Sequence, residues 1–167
     1  MKYYFAYGSN MDQKQMKERC PESRLLGTAI LDGYELGFTI YSPERQCGCA
    51  DIVQCSGGKV FGLLYGVTEK NLEKLDGFEG VPDKYRRISV KVANKVGELK
   101  TAESYEVVHK ESEYQPPSRA YLELLIHAAE RFDFPAEYLN KLRRFACRDG
   151  SVSSPLDPQK NRLRGLI

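Results

Sequence analysis

The sequence predicts an α+β domain built on a small, curved, mostly antiparallel sheet with helices beside it, either open or closed into a barrel. Three observations support this fold class. Short β-like runs dominate the chain up to residue 108, turn residues separate these runs, and two segments with helical apolar periodicity follow them. The length of 167 residues, with 41% hydrophobic residues, suits one compact domain with a buried core.

The predicted strands are rich in apolar and β-branched residues and are bounded by glycine, asparagine or aspartate. They cover residues 3–7, two runs within 24–41 that Asp32-Gly33 divides, and residues 50–54, 60–67, 85–93 and 99–108. The last four ranges are expected to form two antiparallel hairpins, because short turn segments connect them. The pattern predicts six or seven strands, most of them antiparallel.

The predicted helices follow from capping residues and from the spacing of apolar side chains. They cover residues 12–19, residues 69–75 after the cap Thr68, a longer helix from the cap Ser118 to Arg131, and a last helix that begins at Pro135. The first of them ends at Cys20-Pro21, because a residue before proline avoids the helical region. The apolar stripes of the last two helices are predicted to pack in the core.

Composition argues against several classes of protein. No run approaches the roughly 18 to 20 apolar residues of a membrane-spanning helix, and no secretory signal is recognisable. Five cysteines, an odd number, predict reduced thiols in a cytoplasmic protein. The Cys47-Gly48-Cys49 pair lacks the two-residue spacer of common zinc knuckles and has no histidine nearby, so no metal site is predicted.

The C-terminal end is basic, whereas the rest of the chain is mildly acidic. From residue 139 onward, seven lysines and arginines accompany two aspartates. The segment after Phe145 has few aromatic residues for stacking on bases, which does not favour nucleic acid as a partner. The predicted organisation is therefore a domain over residues 1–145 and a solvated basic extension over residues 146–167.

The N-terminal run Tyr4-Phe5-Ala6-Tyr7 leads directly into Gly8-Ser9-Asn10. A strand that turns into a helix through such a loop presents consecutive backbone N–H groups, and glycine allows a ligand to approach closely. The loop suits an anion or the oxyanion of an acyl-transfer intermediate. It has neither the second glycine of a nucleophile elbow nor the Gly-Lys-Ser/Thr of a phosphate loop. Taken alone, it fits an ordinary strand-to-helix turn better.

Glu79 is predicted to lie just after a short helix, between Phe78 and Gly80, with Tyr85 following. A carboxylate among aromatic neighbours loses hydration, and this raises its pKa toward the range where it can both accept and donate a proton near neutral pH. Glu79 is therefore a candidate general acid and base.

Several stretches, in order along the chain, resemble the gamma-glutamylcyclotransferase family, which includes the AIG2-like proteins. They are Tyr4-Phe5-Ala6-Tyr7-Gly8-Ser9-Asn10-Met11, then Val60-Phe61-Gly62-Leu63-Leu64-Tyr65-Gly66-Val67 followed by Leu72, Leu75-Asp76 and Glu79-Gly80, then Ser104-Tyr105, Pro116-Pro117-Ser118-Arg119-Ala120-Tyr121 and Phe134-Pro135-Ala136-Glu137-Tyr138. The resemblance covers residues 2–145. Spaced motifs in a fixed order are more specific than any one of them.

The resemblance implies a small, mostly antiparallel β-barrel with flanking helices, and an enzyme that needs neither metal nor cofactor. Its partner would be a small γ-glutamyl substrate, whose own α-amine attacks its γ-carbonyl to give 5-oxoproline and a released amine or amino acid. Glu79 matches the catalytic glutamate. The implied substrate-binding residues are Tyr4, Phe5, Ala6, Tyr7, Gly8, Ser9, Asn10, Tyr85, Tyr105 and Tyr121.

Residues 42–49 form a candidate lid, in which Arg45 can contact the carboxylate of a leaving amino acid.

The rival interpretation is a binding module that holds a small carboxylate or amide without converting it, while the basic tail recruits a partner. Ser9 is expected to be a hydrogen-bonding loop residue, since neither His109 nor His127 has the context of a catalytic triad. Asp76 and Asp83 are interpreted as cap or turn residues.

Overall fold

The computed structural model describes residues 1–148, which form a closed five-stranded barrel with four α-helices. The strands are β1 (Lys2–Ala6), β2 (Arg24–Ser42), β3 (Cys47–Val67), β4 (Tyr85–Asn94) and β5 (Leu99–Val107). The helices are α1 (Gln13–Arg19), α2 (Glu69–Glu79), α3 (Arg119–Arg131) and α4 (Ala136–Arg143), and a single 3-10 turn over Ser9–Met11 joins β1 to α1.

The strands follow the order β1-β3-β2-β4-β5 around the barrel. Every neighbouring pair is antiparallel except β1 and β5, which close the barrel through a parallel pair, Tyr4 with Glu103. The prediction of an α+β fold with a mostly antiparallel barrel is therefore confirmed. Closure leaves no exposed edge along the paired parts of the sheet.

The number of strands differs from the prediction because β2 and β3 are long and continuous. They form one hairpin, in which Asp32 pairs with Lys59 and Tyr34 pairs with Gln54. Between these two pairs, residues 55–58 of β3 lie opposite Gly33 alone, and Gly33 has a positive φ of 80°. The glycine that was predicted to end a strand therefore bends it, which lets both long strands curve around the barrel.

Helix α2 is longer than predicted. It extends to Glu79 and ends at Gly80, whose φ of 68° places it in the left-handed region that favours glycine. Its start was predicted correctly, because Thr68 and Asn71 cap each other's backbone N–H groups. Glu79 is therefore the last residue of the helix and does not follow it.

The two C-terminal helices begin as predicted. The Ser118 hydroxyl accepts a hydrogen bond from the Tyr121 N–H at 3.1 Å and caps α3, and Pro135 directly precedes α4. Their apolar faces share the core with the barrel, whose largest fully buried side chains include Phe5, Ile52, Leu63, Leu72, Leu75, Leu122, Leu125 and Leu142. Within residues 1–148, no helix combines the length and the apolar character that crossing a membrane requires.

The chain that follows α4 returns to the β2–β3 turn. The Tyr114 hydroxyl donates to the Ala146 carbonyl at 2.7 Å. The Arg148 guanidinium donates to the Tyr41 hydroxyl at 2.8 Å and to the Gln46 carbonyl at 2.6 Å. The first residues of the predicted extension are therefore hydrogen-bonded to the domain. The rest of that extension, residues 149–167, lies outside the described residues.

Candidate active site

A small cavity lies where β1 ends and the 3-10 turn begins. It is lined by Tyr4, Tyr7, Gly8, Ser9, Asn10, Ala50, Glu79, Tyr85, Tyr105 and Tyr121. Ala50 is the one member of this set that the sequence did not point to. The fold thus brings together an N-terminal loop and a helix end that are about seventy residues apart in the chain.

Two predicted substrate-binding residues lie elsewhere. Phe5 is completely buried, and its ring packs against the backbone of β3, where a Cβ atom on Gly62 would lie 2.7 Å from it. Ala6 is also buried, and its carbonyl oxygen would lie 2.4 Å from the same Cβ atom. Both residues shape the barrel wall beneath the cavity and do not line the cavity itself.

The loop after β1 lines one side of the cavity. The Met11 N–H donates to the Gly8 carbonyl at 2.9 Å and so starts the 3-10 turn. The first N–H groups of such a turn, here those of Gly8, Ser9 and Asn10, have no partner within the turn itself. A Cβ atom at Gly8 would lie 3.3 Å from the Ala50 Cβ, so glycine keeps this part of the cavity open.

Asn10 connects this loop to Glu79. Its side chain is buried and its amide nitrogen donates to the Tyr4 hydroxyl at 2.8 Å and to Glu79 Oε1 at 3.1 Å. Its amide oxygen accepts from Gln15 at 3.0 Å and from Arg19 at 2.9 Å. With both ends of the amide satisfied, the orientation of Asn10 is fixed.

The Glu79 carboxyl has only limited contact with solvent, because its side chain is 19% exposed. Burial raises its pKa, since the charged form loses hydration. The Arg19 guanidinium, 3.5 Å from Oε1, and the Asn10 amide act in the opposite direction on this pKa but do not cancel the effect of burial. The carboxyl is therefore suited to exchange a proton at a pH closer to neutral than an exposed glutamate.

The tyrosines of the cavity are held by the backbone. The Tyr121 hydroxyl accepts from the Ala50 N–H at 3.1 Å, and the Tyr85 hydroxyl donates to the Ala50 carbonyl at 2.9 Å. The Tyr7 hydroxyl donates to the Tyr105 carbonyl at 2.7 Å. Burial raises the pKa of each of these phenols, so they are neutral hydrogen-bonding groups.

Asp76 has a larger role than a turn residue. One turn before Glu79 on α2, it accepts a hydrogen bond from the Tyr105 hydroxyl at 2.8 Å. It also pairs with both ends of the Arg87 guanidinium fork, with 3.0 Å from Nε to Oδ1. These contacts tie the last turn of α2 to β4 and β5. The sequence carries no local signal for them, because the partners come from three elements.

Arg45 lies on the cavity side of the turn between β2 and β3. Its Nη2 donates to Ser9 Oγ at 3.3 Å and to Gln15 Oε1 at 3.0 Å, and its guanidinium lies over the Tyr121 ring. The predicted lid over residues 42–49 is a tight turn, since Ser42 pairs with Cys47 across the hairpin. Pairing with β2 leaves only residues 43–46 outside the strands.

Arg19 is a site residue that the sequence analysis missed. It ends α1 and reaches both Asn10 and Glu79, while its guanidinium lies 4.6 Å from the centre of the Phe78 ring. Its position before Cys20-Pro21 predicts a helix end and gives no indication of a second function. Among residues 1–148, no group of three histidine, cysteine or acidic side chains is arranged to hold a metal ion.

Fold and site together define a β-barrel protein in which a partly buried carboxyl and the loop after β1 line the same polar cavity. A model of the AIG2-like family matches residues 59–142. The gamma-glutamylcyclotransferase of Homo sapiens is 34% identical over 161 residues, covering 92% of this chain and 85% of that protein. That of Bos taurus is 31% identical over 163 residues, with the same coverage of both chains.

A solved structure described as a gamma-glutamyl cyclotransferase has a TM-score of 0.83 with this chain at 32% identity, and the match covers 92% of this chain and 94% of that one. The chain therefore belongs to the AIG2-like family. It is a gamma-glutamylcyclotransferase-like enzyme.

Proposed function

We propose that the protein converts a γ-glutamyl amino acid or γ-glutamyl amine to 5-oxoproline and a free amino acid or amine. The observation that supports this proposal is the hydrogen bond that the Asn10 side chain donates to Glu79, which joins the carboxyl to the Gly8–Asn10 loop. A base and a set of oxyanion donors then face the same small cavity, which is the arrangement that an acyl transfer requires. The names of the relatives supply the substrate class.

The reaction begins with the α-ammonium of the substrate, which is not nucleophilic until it loses a proton. Glu79 accepts that proton, and the resulting amine attacks the γ-carbonyl of the same molecule. Because nucleophile and electrophile belong to one bound substrate, the attack needs orientation but no second reactant. The raised pKa of Glu79 matches this role, since the carboxyl must both take up and release protons.

The tetrahedral intermediate places negative charge on the former carbonyl oxygen. The backbone N–H groups of Gly8 and Ser9 are the donors for it, and the neutral hydroxyl of Tyr121 lies against the same loop. The bond from the γ-carbon to the leaving nitrogen then breaks as Glu79 returns a proton to that nitrogen. The ammonium gives up two protons and the leaving amine gains two, so the reaction is balanced without a cofactor.

The leaving group is expected to lie on the side of the cavity where Arg45 stands. The carboxylate of a leaving amino acid can pair with the Arg45 guanidinium, whose hydrogen bonds from Nη2 go to the uncharged side chains of Ser9 and Gln15. A simple amine has no such carboxylate. This contact favours γ-glutamyl amino acids over γ-glutamyl amines.

The experiment that tests the proposal is 5-oxoproline release by the purified protein and by Glu79→Gln, on γ-glutamyl-alanine and an uncharged γ-glutamyl amine. Removal of the base is expected to lower kcat by about 10²- to 10⁴-fold, the usual contribution of general acid–base catalysis. Glu73→Gln is the matched control, because Glu73 is exposed on the same helix. Equal kcat values for the wild type and Glu79→Gln would contradict the proposed role of Glu79.

The binding-module interpretation makes a different prediction in the same assay, namely ligand binding without any turnover. Its second part, a partner recruited by the basic tail, is best tested by ending the chain after Arg148. A shorter chain would also remove the hydrogen bonds from Arg148 to the β2–β3 turn and so disturb the site. Unchanged turnover together with a lost partner would assign the tail a separate role.

A further inference from the structure

A second, wider space adjoins the cavity. This outer groove shares Ser9, Glu79, Tyr85 and Tyr121 with the cavity, so the two are continuous. In the proposed reaction the ring-forming glutamyl part needs the donors of the small cavity. The outer groove is then left for the group that departs, and its walls decide which departing groups fit.

Three cationic side chains line the groove. Arg19 contacts Asn10 and Glu79, and the other two, Arg45 and Lys84, lie at different depths. Arg45 lies at the inner end, beside Ser9 and Tyr121. Lys84, in the connection between α2 and β4, lies at the outer rim, where its side chain is 45% exposed. Among residues 1–148, no carboxylate forms an ion pair with Arg45, whereas Lys84 pairs with Glu44 at 2.7 Å.

Glu44 is a fixed anion at the rim. The Lys84 ammonium, the backbone N–H of Glu44 and the Ser42 hydroxyl lower its pKa to about 2, so the carboxylate is ionised at any working pH. Glu44 and Arg45 are consecutive residues of one tight turn. Arg45 belongs to this turn and Lys84 reaches it through its bond to Glu44, so both cations line the same groove.

We propose that the outer groove is a leaving-group subsite with two anion positions, Arg45 and Lys84, and that it favours γ-glutamyl compounds whose leaving group carries two carboxylates. This inference rests on the proposed function and narrows its substrate class. The α-carboxylate of the leaving amino acid pairs with Arg45, and its side-chain carboxylate replaces Glu44 on Lys84. Glu44 is thus an internal competitor that neutralises Lys84 when no such substrate is bound.

The test compares two substrates of nearly equal shape, γ-glutamyl-glutamate and γ-glutamyl-glutamine, which differ in one carboxylate. The measured quantity is the ratio of their kcat/KM values. Lys84→Met is expected to lower this ratio about two- to fivefold, and Glu44→Gln to raise it by a similar factor, as for other exposed charge pairs. Lys100→Met is the matched control, because Lys100 and Glu98 form an equally short pair on the β4–β5 hairpin.

The double variant Glu44→Gln/Lys84→Met separates attraction by Lys84 from repulsion by Glu44. If Lys84 is the anion position, the ratio stays low in the double variant. If the lower kcat/KM ratio of Lys84→Met came only from repulsion by the unpaired Glu44 carboxylate, the double variant returns to the wild-type ratio. This result would overturn the inference.

The same pair of dipeptides is titrated calorimetrically into Glu79→Gln. If both dipeptides are turned over but no variant changes the ratio of their kcat/KM values, the subsite is overturned and the proposed function is kept. Binding without turnover in the wild type would overturn the proposed function, while the ratio of dissociation constants would still test the subsite. If neither dipeptide binds, the subsite is overturned, and turnover of γ-glutamyl-alanine decides the proposed function.

Discussion

The inner cavity and the outer groove differ in the kinds of side chain that line them. In the cavity, buried tyrosines are hydrogen-bonded to backbone groups of other elements, as Tyr85 of β4 and Tyr121 of α3 are to Ala50 of β3. In the groove, exposed ionic side chains such as Glu44 and Lys84 contact each other at the rim. Substituting a buried, fully bonded group leaves its partner unsatisfied, whereas an exposed ion pair contributes little free energy.

This contrast separates two properties of the enzyme. Groups whose positions are fixed before substrate arrives are suited to stabilising a transition state, because no free energy is spent on ordering them during the reaction. Exposed charges adapt to different ligands and change selectivity at little cost in stability. We therefore expect large changes in kcat from substitutions in the cavity and modest changes in KM from substitutions in the groove.

The largest effect in the following series is expected for Asn10→Ala, which removes the bond between the loop and Glu79. A hydrogen bond to a charged group contributes about 1.5 to 3 kcal/mol, so kcat/KM should fall about 10- to 100-fold. The pH profile supplies a second readout. The Asn10 hydrogen bond lowers the pKa of Glu79, so this pKa rises in the variant. Since the base must be ionised to accept a proton, the acid limb of kcat/KM should move to higher pH.

Asn71→Ala is the control for Asn10→Ala. Asn71 is equally buried, but it caps α2 through Thr68 and does not line the cavity. Its removal should lower Tm without moving the acid limb. An Asn10→Ala profile that coincides with that of the wild type would show that Asn10 does not act on Glu79.

A smaller effect is expected for Arg45→Ala, which tests the groove at its inner end. Loss of a charge-assisted hydrogen bond should raise KM for γ-glutamyl-alanine about tenfold and leave KM for an uncharged γ-glutamyl amine almost unchanged. Steady-state kinetics on both substrates measure this difference. Arg86→Ala is the control, since Arg86 forms an exposed pair with Glu106 on the barrel. Equal increases for both substrates would remove Arg45 from leaving-group recognition.

The smallest effect is expected for Arg148→Ala, which acts through the turn that carries Arg45. Without the bonds from Arg148 to Tyr41 and Gln46, the turn is held less firmly, and KM for γ-glutamyl-alanine should rise about two- to threefold. A double-mutant cycle measures the coupling. In an Arg45→Ala background the second substitution should have no further effect, and additive effects would contradict the positioning role. Arg144→Ala controls for the loss of one basic charge.

Local chemistry explains which parts of the fold could be predicted. The Thr68 and Ser118 caps and the hairpin over residues 94–97 depend on neighbours in the chain, and the structure confirms all three. The extra strand breaks were wrong at Gly33 and near Gly57, because a positive φ serves a turn and a bulge equally well. Only the partner strand decides between them, and the sequence does not show the partner.

The same limit applies to the cavity. Glu79 and the Gly8–Asn10 loop were identified from motifs, each of which is local. Arg19 and the Asp76–Arg87 pair were missed because their contacts join elements far apart in sequence, as with Arg19 and Glu79, which are 60 residues apart. Hydrogen-bond networks of this kind arise from barrel closure and helix placement, which no short pattern encodes.

The position of Glu79 as the last residue of α2 has an electrostatic consequence of its own. The C-terminal end of a helix carries a partial negative charge from its unpaired carbonyl groups, and this field disfavours a second negative charge nearby. Gly80 ends α2 directly after Glu79, so the Glu79 carboxyl belongs to the residue nearest this end of the helix. We therefore expect the backbone of α2 to act in the same direction as burial on the pKa of the group that we propose as the catalyst.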